Sequence, residues 1–140
     1  MIIKIMVFIH YMGYHLCIKL MLGLYMHEMS YILKMVNMAI EVAKENNAGS
    51  VRQIEVVIGE TSGVMPYYMY KYYPDAVKGT ILEGAELICT EAKVKALCEE
   101  CGSEYYPSRE NRYLCPNCGG RKAHIIEGKG VVLKNVVIED

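Results

Sequence analysis

The sequence lacks the charge excess and the long apolar run that mark nucleic-acid-binding and membrane-spanning proteins. Its 140 residues carry 15 basic and 16 acidic side chains, for a formal net charge of −1. Neither a basic surplus nor an acidic tail therefore points to a highly charged partner. Near the apolar N-terminus, the longest stretch without lysine or arginine is Ile5–Ile18. This stretch is shorter than the roughly 20 residues that cross a bilayer.

The sequence also lacks a recognisable catalytic constellation. No Ser/His/Asp or Cys/His set is apparent, although such sets activate most nucleophilic enzymes. The glycine-bounded stretch from Gly59 to Gly63 contains no lysine, and a phosphate-binding loop requires one. No internal repeat or low-complexity segment is visible either.

What the sequence does contain is a pair of C-x-x-C motifs. Cys98 and Cys101 form the first, and Cys115 and Cys118 the second, with thirteen residues between them and a glycine after each motif. This spacing predicts two tight loops whose four thiolates bind one zinc ion tetrahedrally. Two redox-active pairs or two disulfides are the alternative interpretation.

A zinc site with four thiolates leaves no coordination position for water. Catalytic zinc keeps one position open, so a zinc hydrolase is disfavoured, and we predict a structural ion in a protein that is not an enzyme. The two other cysteines, Cys17 and Cys89, lie in apolar surroundings. This cysteine usage suits a reducing cytoplasm better than an exported disulfide framework.

The first 25 residues form an apolar N-terminal extension with three interpretations. They are an upstream extension with the working start at Met26, a membrane or interfacial helix, or a signal peptide with Lys4 as its basic end. We favour the first, because no small-x-small cleavage site follows the segment.

The residues after Met26 predict a helix, a strand and a second helix. Ser30 is a good N-cap, and a helical apolar repeat follows it at Ile32, Met35, Val36, Ala39, Ile40 and Ala43. Residues 46–49 end this helix, and Val51–Ile58 reads as a strand. Pro66 suits the first turn of the second helix, in which Pro74 predicts a kink or a new turn.

Two further extended segments flank the cysteine motifs. Ala85–Leu97 runs into Cys98, and Val131–Glu139 forms the last strand. We expect these segments to pair with each other and with Val51–Ile58. The predicted fold is α+β, with two helices on a three-stranded sheet and an inserted zinc-ribbon-like lobe.

The predicted fold divides the chain into two units after the extension. Residues 26–97 together with 128–140 would form an α/β domain. Residues 98–127 would form the zinc-binding lobe.

A second candidate metal site is Met26-His27-Glu28. If the chain began at Met26, its α-amine, an imidazole and a carboxylate would meet there, and the intervening amide could add a nitrogen ligand. Nitrogen-rich sites of this kind suit Ni(II) or Cu(II). The alternative is an ordinary solvent-facing first helical turn. His10, His15 and His124 are weaker candidates, and the tyrosines between 67 and 73 could pack in the core or bind a partner.

Several ordered motifs resemble one family. Met26–Ser30 opens an amphipathic helix, Ile58–Val64 precedes Pro66, Gly79–Leu87 follows, and the two C-x-x-C-G motifs and a β-rich tail complete the order. Over Met26 to Asp140, this arrangement is similar to the hydrogenase nickel-incorporation proteins, the HypA/HybF family.

The resemblance implies a cytosolic nickel metallochaperone. Such a protein binds Ni(II) weakly and delivers it, with a partner GTPase, to the large subunit of nickel-iron hydrogenase, and in some organisms serves urease maturation with its accessory proteins. His27 would be the nickel ligand, assisted by the Met26 amine and Glu28, and the four cysteines would hold zinc. We expect a monomer or weak homodimer without nucleic-acid or membrane partners.

The chain departs from the family pattern at its start, because the extension converts the Met26 amine into an amide. The alternative function is a zinc-ribbon module that binds nucleic acid or protein. Basic residues on the lobe would favour it, and acidic neighbours offset them. The basic residues are Arg109, Arg112, Arg121, Lys122 and Lys129, and the acidic ones are Glu99, Glu100, Glu104 and Glu110.

Overall fold

A computed structural model describes residues 2–8 and 23–139, with side chains described over 28–139. The chain order is strand, helix, strand, helix and then five strands. The elements are β1 (Ile2–Phe8), α1 (Gly23–Glu45), β2 (Ser50–Gly59), α2 (Pro66–Val77), β3 (Glu86–Ala92), β4 (Lys95–Cys98), β5 (Glu104–Tyr105), β6 (Ala123–Glu127) and β7 (Val131–Glu139).

The described strands form two sheets. The main sheet has the order β1-β7-β2-β3, with β2 antiparallel to β7 and parallel to β3. Ile54, Val56 and Ile58 of β2 are buried in the same apolar cluster as residues of α1 and α2. The helices thus cover one face of the sheet, and the predicted α+β class with two helices is confirmed.

Helix α1 begins earlier than the sequence suggested. Ser30 lies inside the helix rather than at its N-cap, because the helix extends back to Gly23. The predicted apolar stripe is confirmed: Ile32, Met35, Val36, Ala39 and Ala43 are buried, and Ile40 packs against them. The helix ends as predicted, with the Ala48 N–H donating to the Ala43 carbonyl.

Helix α2 runs through Pro74 without interruption. The proline removes the N–H that would bond to the Tyr70 carbonyl, a defect that normally costs a helix stability. Burial compensates for it, because Met69, Tyr73 and Val77 are buried against the core. Tyr67 and Tyr70 are exposed, so part of the tyrosine run is core and part faces solvent.

The pairing of the sheet corrects two expectations. The strands that flank the cysteines do not pair with each other, since β2 lies between β3 and β7. The segment predicted as one strand over Ala85–Leu97 is two strands, β3 and β4, separated by Lys93 and Val94. The second of them belongs to the other sheet, in the order β5-β4-β6.

The N-terminal extension contributes a fourth strand to the main sheet. Strand β1 pairs antiparallel with β7, with Ile2 opposite Val137 and Phe8 opposite Val132. A helix is therefore wrong for residues 2–8, and residues 9–22, including His10, His15 and Cys17, lie outside the described part of the chain. Among the residues described, no helix has the length and apolarity needed to cross a membrane.

The smaller sheet belongs to a lobe with very little core. Its buried apolar cluster consists of Ala96, Cys98, Tyr105 and Cys115, with Ala123 packed against it. Two of these residues are predicted metal ligands, so few buried contacts remain to hold the lobe together.

Candidate metal centre

The four cysteines converge at one end of the small lobe. Their sulfurs all lie within 4.8 Å of one another. Cys98 and Cys115 are buried, whereas Cys101 and Cys118 are exposed. Each C-x-x-C motif thus contributes one inner and one outer sulfur to the cluster.

The local fold of the two loops explains why the sulfurs converge. The Gly102 N–H donates to the Cys98 carbonyl at 3.0 Å, and the Gly119 N–H donates to the Cys115 carbonyl at 2.8 Å. Both glycines have positive φ, at 73° and 72°, a region that L-residues rarely adopt. Each glycine therefore lets its loop close tightly enough for both sulfurs to face the same point.

The spacing of the sulfurs fits zinc. A tetrahedron with Zn–S bonds of ~2.3 Å has sulfurs about 3.8 Å apart. The Cys98–Cys118 and Cys101–Cys115 sulfurs are each 3.6 Å apart, whereas a disulfide needs about 2.05 Å. All four cysteines are free thiols, so the arrangement fits a tetrahedral ion and not a pair of disulfides.

Hydrogen bonds to sulfur favour the thiolate form at the open side of the cluster. Asn117 Nδ2 donates to Cys101 Sγ at 3.5 Å, and bonds from Asn117 and Ser103 lower the pKa of Cys101 to about 5. The hydrogen bond from the Gly120 N–H lowers the pKa of Cys118. Hydrogen bonding with the Cys101 thiol and partial desolvation outweigh this effect and raise the pKa of Cys118 to about 12. Four thiolates this close would repel one another, and a bound divalent cation would supply the compensating charge.

Glu100 braces the site in a way that the sequence did not reveal. Its Oε1 accepts hydrogen bonds from the Arg121 and Lys122 N–H groups at 3.1 and 3.4 Å. It thereby connects the first cysteine loop to the residues that follow the second cysteine loop. Nothing in the sequence distinguishes it from the adjacent Glu99, which instead lies 3.5 Å from His124 Nδ1.

The Met26-His27-Glu28 motif lies within α1, one turn after its start at Gly23. For Met26 and His27 the structure describes the backbone and not the side chains. Glu28 is only 6% exposed, so a solvent-facing turn is the wrong interpretation for this residue. In a regular helix the His27 N–H donates to the carbonyl four residues earlier, so this amide is not free to ligate a metal.

The topology places this motif at the same end of the main sheet as the cysteine lobe. Only residues 46–49 separate α1 from β2, so the two elements run in opposite directions. The start of α1 therefore lies towards Gly59, where β2 ends beside Ala92 of β3 and where Val131 begins β7. The two connections to the lobe, residues 93–94 and 128–130, both meet the sheet at this end.

The remaining candidates lie on the surface of the lobe. His124 is exposed, as expected for a residue outside the metal cluster. The four basic residues of the lobe and Lys129 just after it are all exposed, and the four acidic residues are exposed among them. Mixed charges of this kind do not form the basic face that nucleic-acid binding requires.

Sequence comparison identifies the family. Residues 26–138 match the family described as "Hydrogenase/urease nickel incorporation, metallochaperone, hypA". The chain belongs to this family. The match begins at the Met26-His27-Glu28 motif and includes all four cysteines.

Individual relatives agree with this assignment. The hydrogenase maturation factor HypA of Aquifex aeolicus is 38% identical over 114 residues, which cover 81% of this chain and 98% of that protein. The HypA of Prosthecochloris aestuarii is 37% identical over 115 residues, covering 81% of this chain and all of that protein.

Solved structures support the fold of HypA proteins for this chain. The solution structure of the Ni metallochaperone HypA from Helicobacter pylori matches with a TM-score of 0.64 at 23% identity. The match covers 81% of this chain and 97% of that one. A second HypA solution structure has a TM-score of 0.67 over the same shares.

Proposed function

We propose that this chain is a nickel metallochaperone, which binds Ni(II) near the start of α1 and passes it on during maturation of nickel-iron hydrogenase. The family match over residues 26–138 carries the proposal. The description of the family includes urease as well, so the proposal includes urease as a second client.

The nickel ligands in the 140-residue chain would be the His27 imidazole and the Glu28 carboxylate. Glu28 is buried, and a buried carboxylate needs a cation or hydrogen-bond donors near it. The Met26 nitrogen is an α-amine ligand only in a chain that begins at Met26. Such an amine has a pKa of about 7.7–8.0, so nickel would compete with a proton for it near neutral pH.

Zinc would be held by Cys98, Cys101, Cys115 and Cys118. When bound, the ion would neutralise the thiolates and hold together a lobe whose own core is small. With all four positions occupied by sulfur the site has a structural role, and the chain carries out ligand exchange, not catalysis.

Weak nickel binding suits a carrier, because the acceptor must compete successfully for the ion. The proposed partners are a hydrogenase maturation GTPase, the hydrogenase large subunit and urease accessory proteins. Free thiols at the cluster require a reducing compartment, which favours the cytoplasm. We further propose a monomer or weak homodimer that works without nucleic-acid or membrane partners.

Complementation tests the proposal in cells. Bacteria lacking their own nickel-incorporation factor should recover hydrogenase activity when they express this chain. The His27→Ala variant should fail to restore activity at low nickel, whereas the matched His124→Ala variant, altered at an exposed histidine, should succeed. Equal recovery with both variants would contradict a nickel-carrying role for His27.

A further inference from the structure

The small lobe is joined to the main sheet by two short connections. Residues 93 and 94 lead from β3 to β4, and residues 128–130 lead from β6 to β7. Two single-chain connections between domains normally permit relative motion unless further contacts restrain it. The last residue of β2 and the loop after it, together residues 59–62, supply such contacts to both connections.

Hydrogen bonds join this loop to the first connection. The Glu60 N–H donates to the Ala92 carbonyl at 2.9 Å. The Glu60 side chain in turn accepts a hydrogen bond from the Val94 N–H at 2.9 Å. The same residue thus holds the chain just before and just after the point where it leaves the main sheet.

The second connection is held by three further bonds. The Gly59 N–H donates to the Gly130 carbonyl at 2.8 Å, and the Thr61 N–H donates to the Gly128 carbonyl at 3.1 Å. The Thr61 hydroxyl donates to the same Gly128 carbonyl at 2.9 Å. A buried carbonyl with two donors is well restrained.

Close backbone packing completes the arrangement. A Cβ atom added to Gly59 would lie 2.4 Å from the carbonyl carbon of Gly128, and one added to Gly128 would lie 2.5 Å from the carbonyl oxygen of Lys93. Gly59 does not have positive φ, so space alone, not conformation, requires glycine there. The backbone segments at Gly59, Gly128 and Lys93 are therefore stacked in direct contact.

We propose that residues 59–62 form a positioning clamp that fixes the cysteine lobe to the main sheet as one rigid body. The clamp lies at the end of the sheet towards which the start of α1 points, so it also fixes the orientation of the lobe relative to the helix that carries His27. A partner that contacts both lobes then meets them in one preset arrangement. The inference rests on the proposed zinc occupancy of the lobe but not on nickel as the cargo.

Nuclear magnetic resonance relaxation of the full zinc-loaded chain tests the clamp. In the wild type, amides of residues 95–127 and of the main sheet should report one rotational correlation time. Gly59→Ala should give the lobe a separate, faster one, because the added methyl group collides with Gly128. Gly49→Ala is the matched control, since Gly49 has open space around it, and it should behave as the wild type.

Milder variants decide the question if Gly59→Ala does not fold. The Glu60→Leu/Thr61→Val pair removes the two side-chain hydrogen bonds of the five without adding bulk to the stacked backbones. It should separate the two correlation times and lower the hydrogen-exchange protection of Val94 about tenfold. Glu60→Gln keeps an acceptor for the Val94 N–H. When it replaces Glu60→Leu in the double variant, it should restore the single correlation time and the protection of Val94. A single rotational correlation time and unchanged hydrogen-exchange protection of Val94 in the Glu60→Leu/Thr61→Val variant would overturn the proposal.

Discussion

At the scale of single residues, one buried polar group lacks a hydrogen-bond partner in the described part of the chain, and one exposed polar group supports the cysteine cluster. The Tyr73 hydroxyl is buried and has no hydrogen-bond partner in the described part of the chain. Leaving a buried hydroxyl unpaired costs about 1–3 kcal/mol. Glu100, in contrast, uses an exposed carboxylate to bind two backbone N–H groups beside the cysteine cluster.

Tyr73→Phe should stabilise the protein by about 1 kcal/mol at neutral pH, because it removes the unpaired hydroxyl. Burial raises the pKa of Tyr73 from 10.0 to about 12. The folded state thus holds this proton more firmly, and the associated stability is complete below pH 10 and lost as the pH rises towards 12. Urea unfolding at pH 7 and pH 11 measures both effects. Tyr67→Phe, at an exposed site, should change neither value.

Glu100→Ala should weaken zinc binding about tenfold, because outer-shell partners of metal ligands typically contribute that much. Competition with a chromophoric chelator measures the affinity. Glu110→Ala, also an exposed glutamate of the lobe, is the control and should retain the wild-type affinity. Equal zinc affinities for the two variants would show that the Glu100 hydrogen bonds do not support the site.

At the scale of elements, helix α2 keeps its geometry across Pro74 because its buried face holds it to the core. Pro74→Ala would restore the N–H that the Tyr70 carbonyl lacks, and an interior proline costs a helix up to ~3 kcal/mol. We expect a gain of about 1–2 kcal/mol, since the position lies near the helix end. Thermal unfolding measures the gain, and an unchanged or lower midpoint would mean that the proline fits better than alanine.

The elements also show how far the sequence could predict the structure. The periodicity of apolar residues predicted α1 and β2 well, and the spacing of the cysteines predicted their two loops. Each of these features depends on local sequence. The split at Lys93–Val94 and the central position of β2 depend on contacts between distant segments, which a local pattern does not encode. The braces made by Glu100 and Glu60 were missed for the same reason. The Ser30 cap was wrong because helical residues continue upstream.

At the scale of the whole molecule, two bodies with very different cores are joined at one end. The main sheet and helices share an extensive buried cluster, whereas the core of the lobe contains two of the four cysteines proposed to bind zinc. Loss of the metal should therefore unfold the lobe and leave the larger body intact.

Removal of zinc with a chelator should unfold residues 95–127 and spare the main sheet. Hydrogen exchange measures this outcome directly. The Cys98 and Cys115 N–H groups, which donate to Ser103 and Gly120, should lose their protection, while those of Ile54 and Val56 should keep it. Simultaneous loss in both bodies would mean that the lobe and the sheet fold as one cooperative unit.

Calorimetric titration of the zinc-loaded full chain with Ni(II) tests the proposed nickel site at the start of α1. His27→Ala should lower the nickel affinity at least tenfold, roughly the loss expected for a ligand or its close support, while the zinc content stays unchanged. His124→Ala, altered at an exposed histidine of the lobe, should bind nickel as the wild type does. An unchanged nickel affinity in His27→Ala, or loss of zinc from it, would contradict a nickel site at the start of α1.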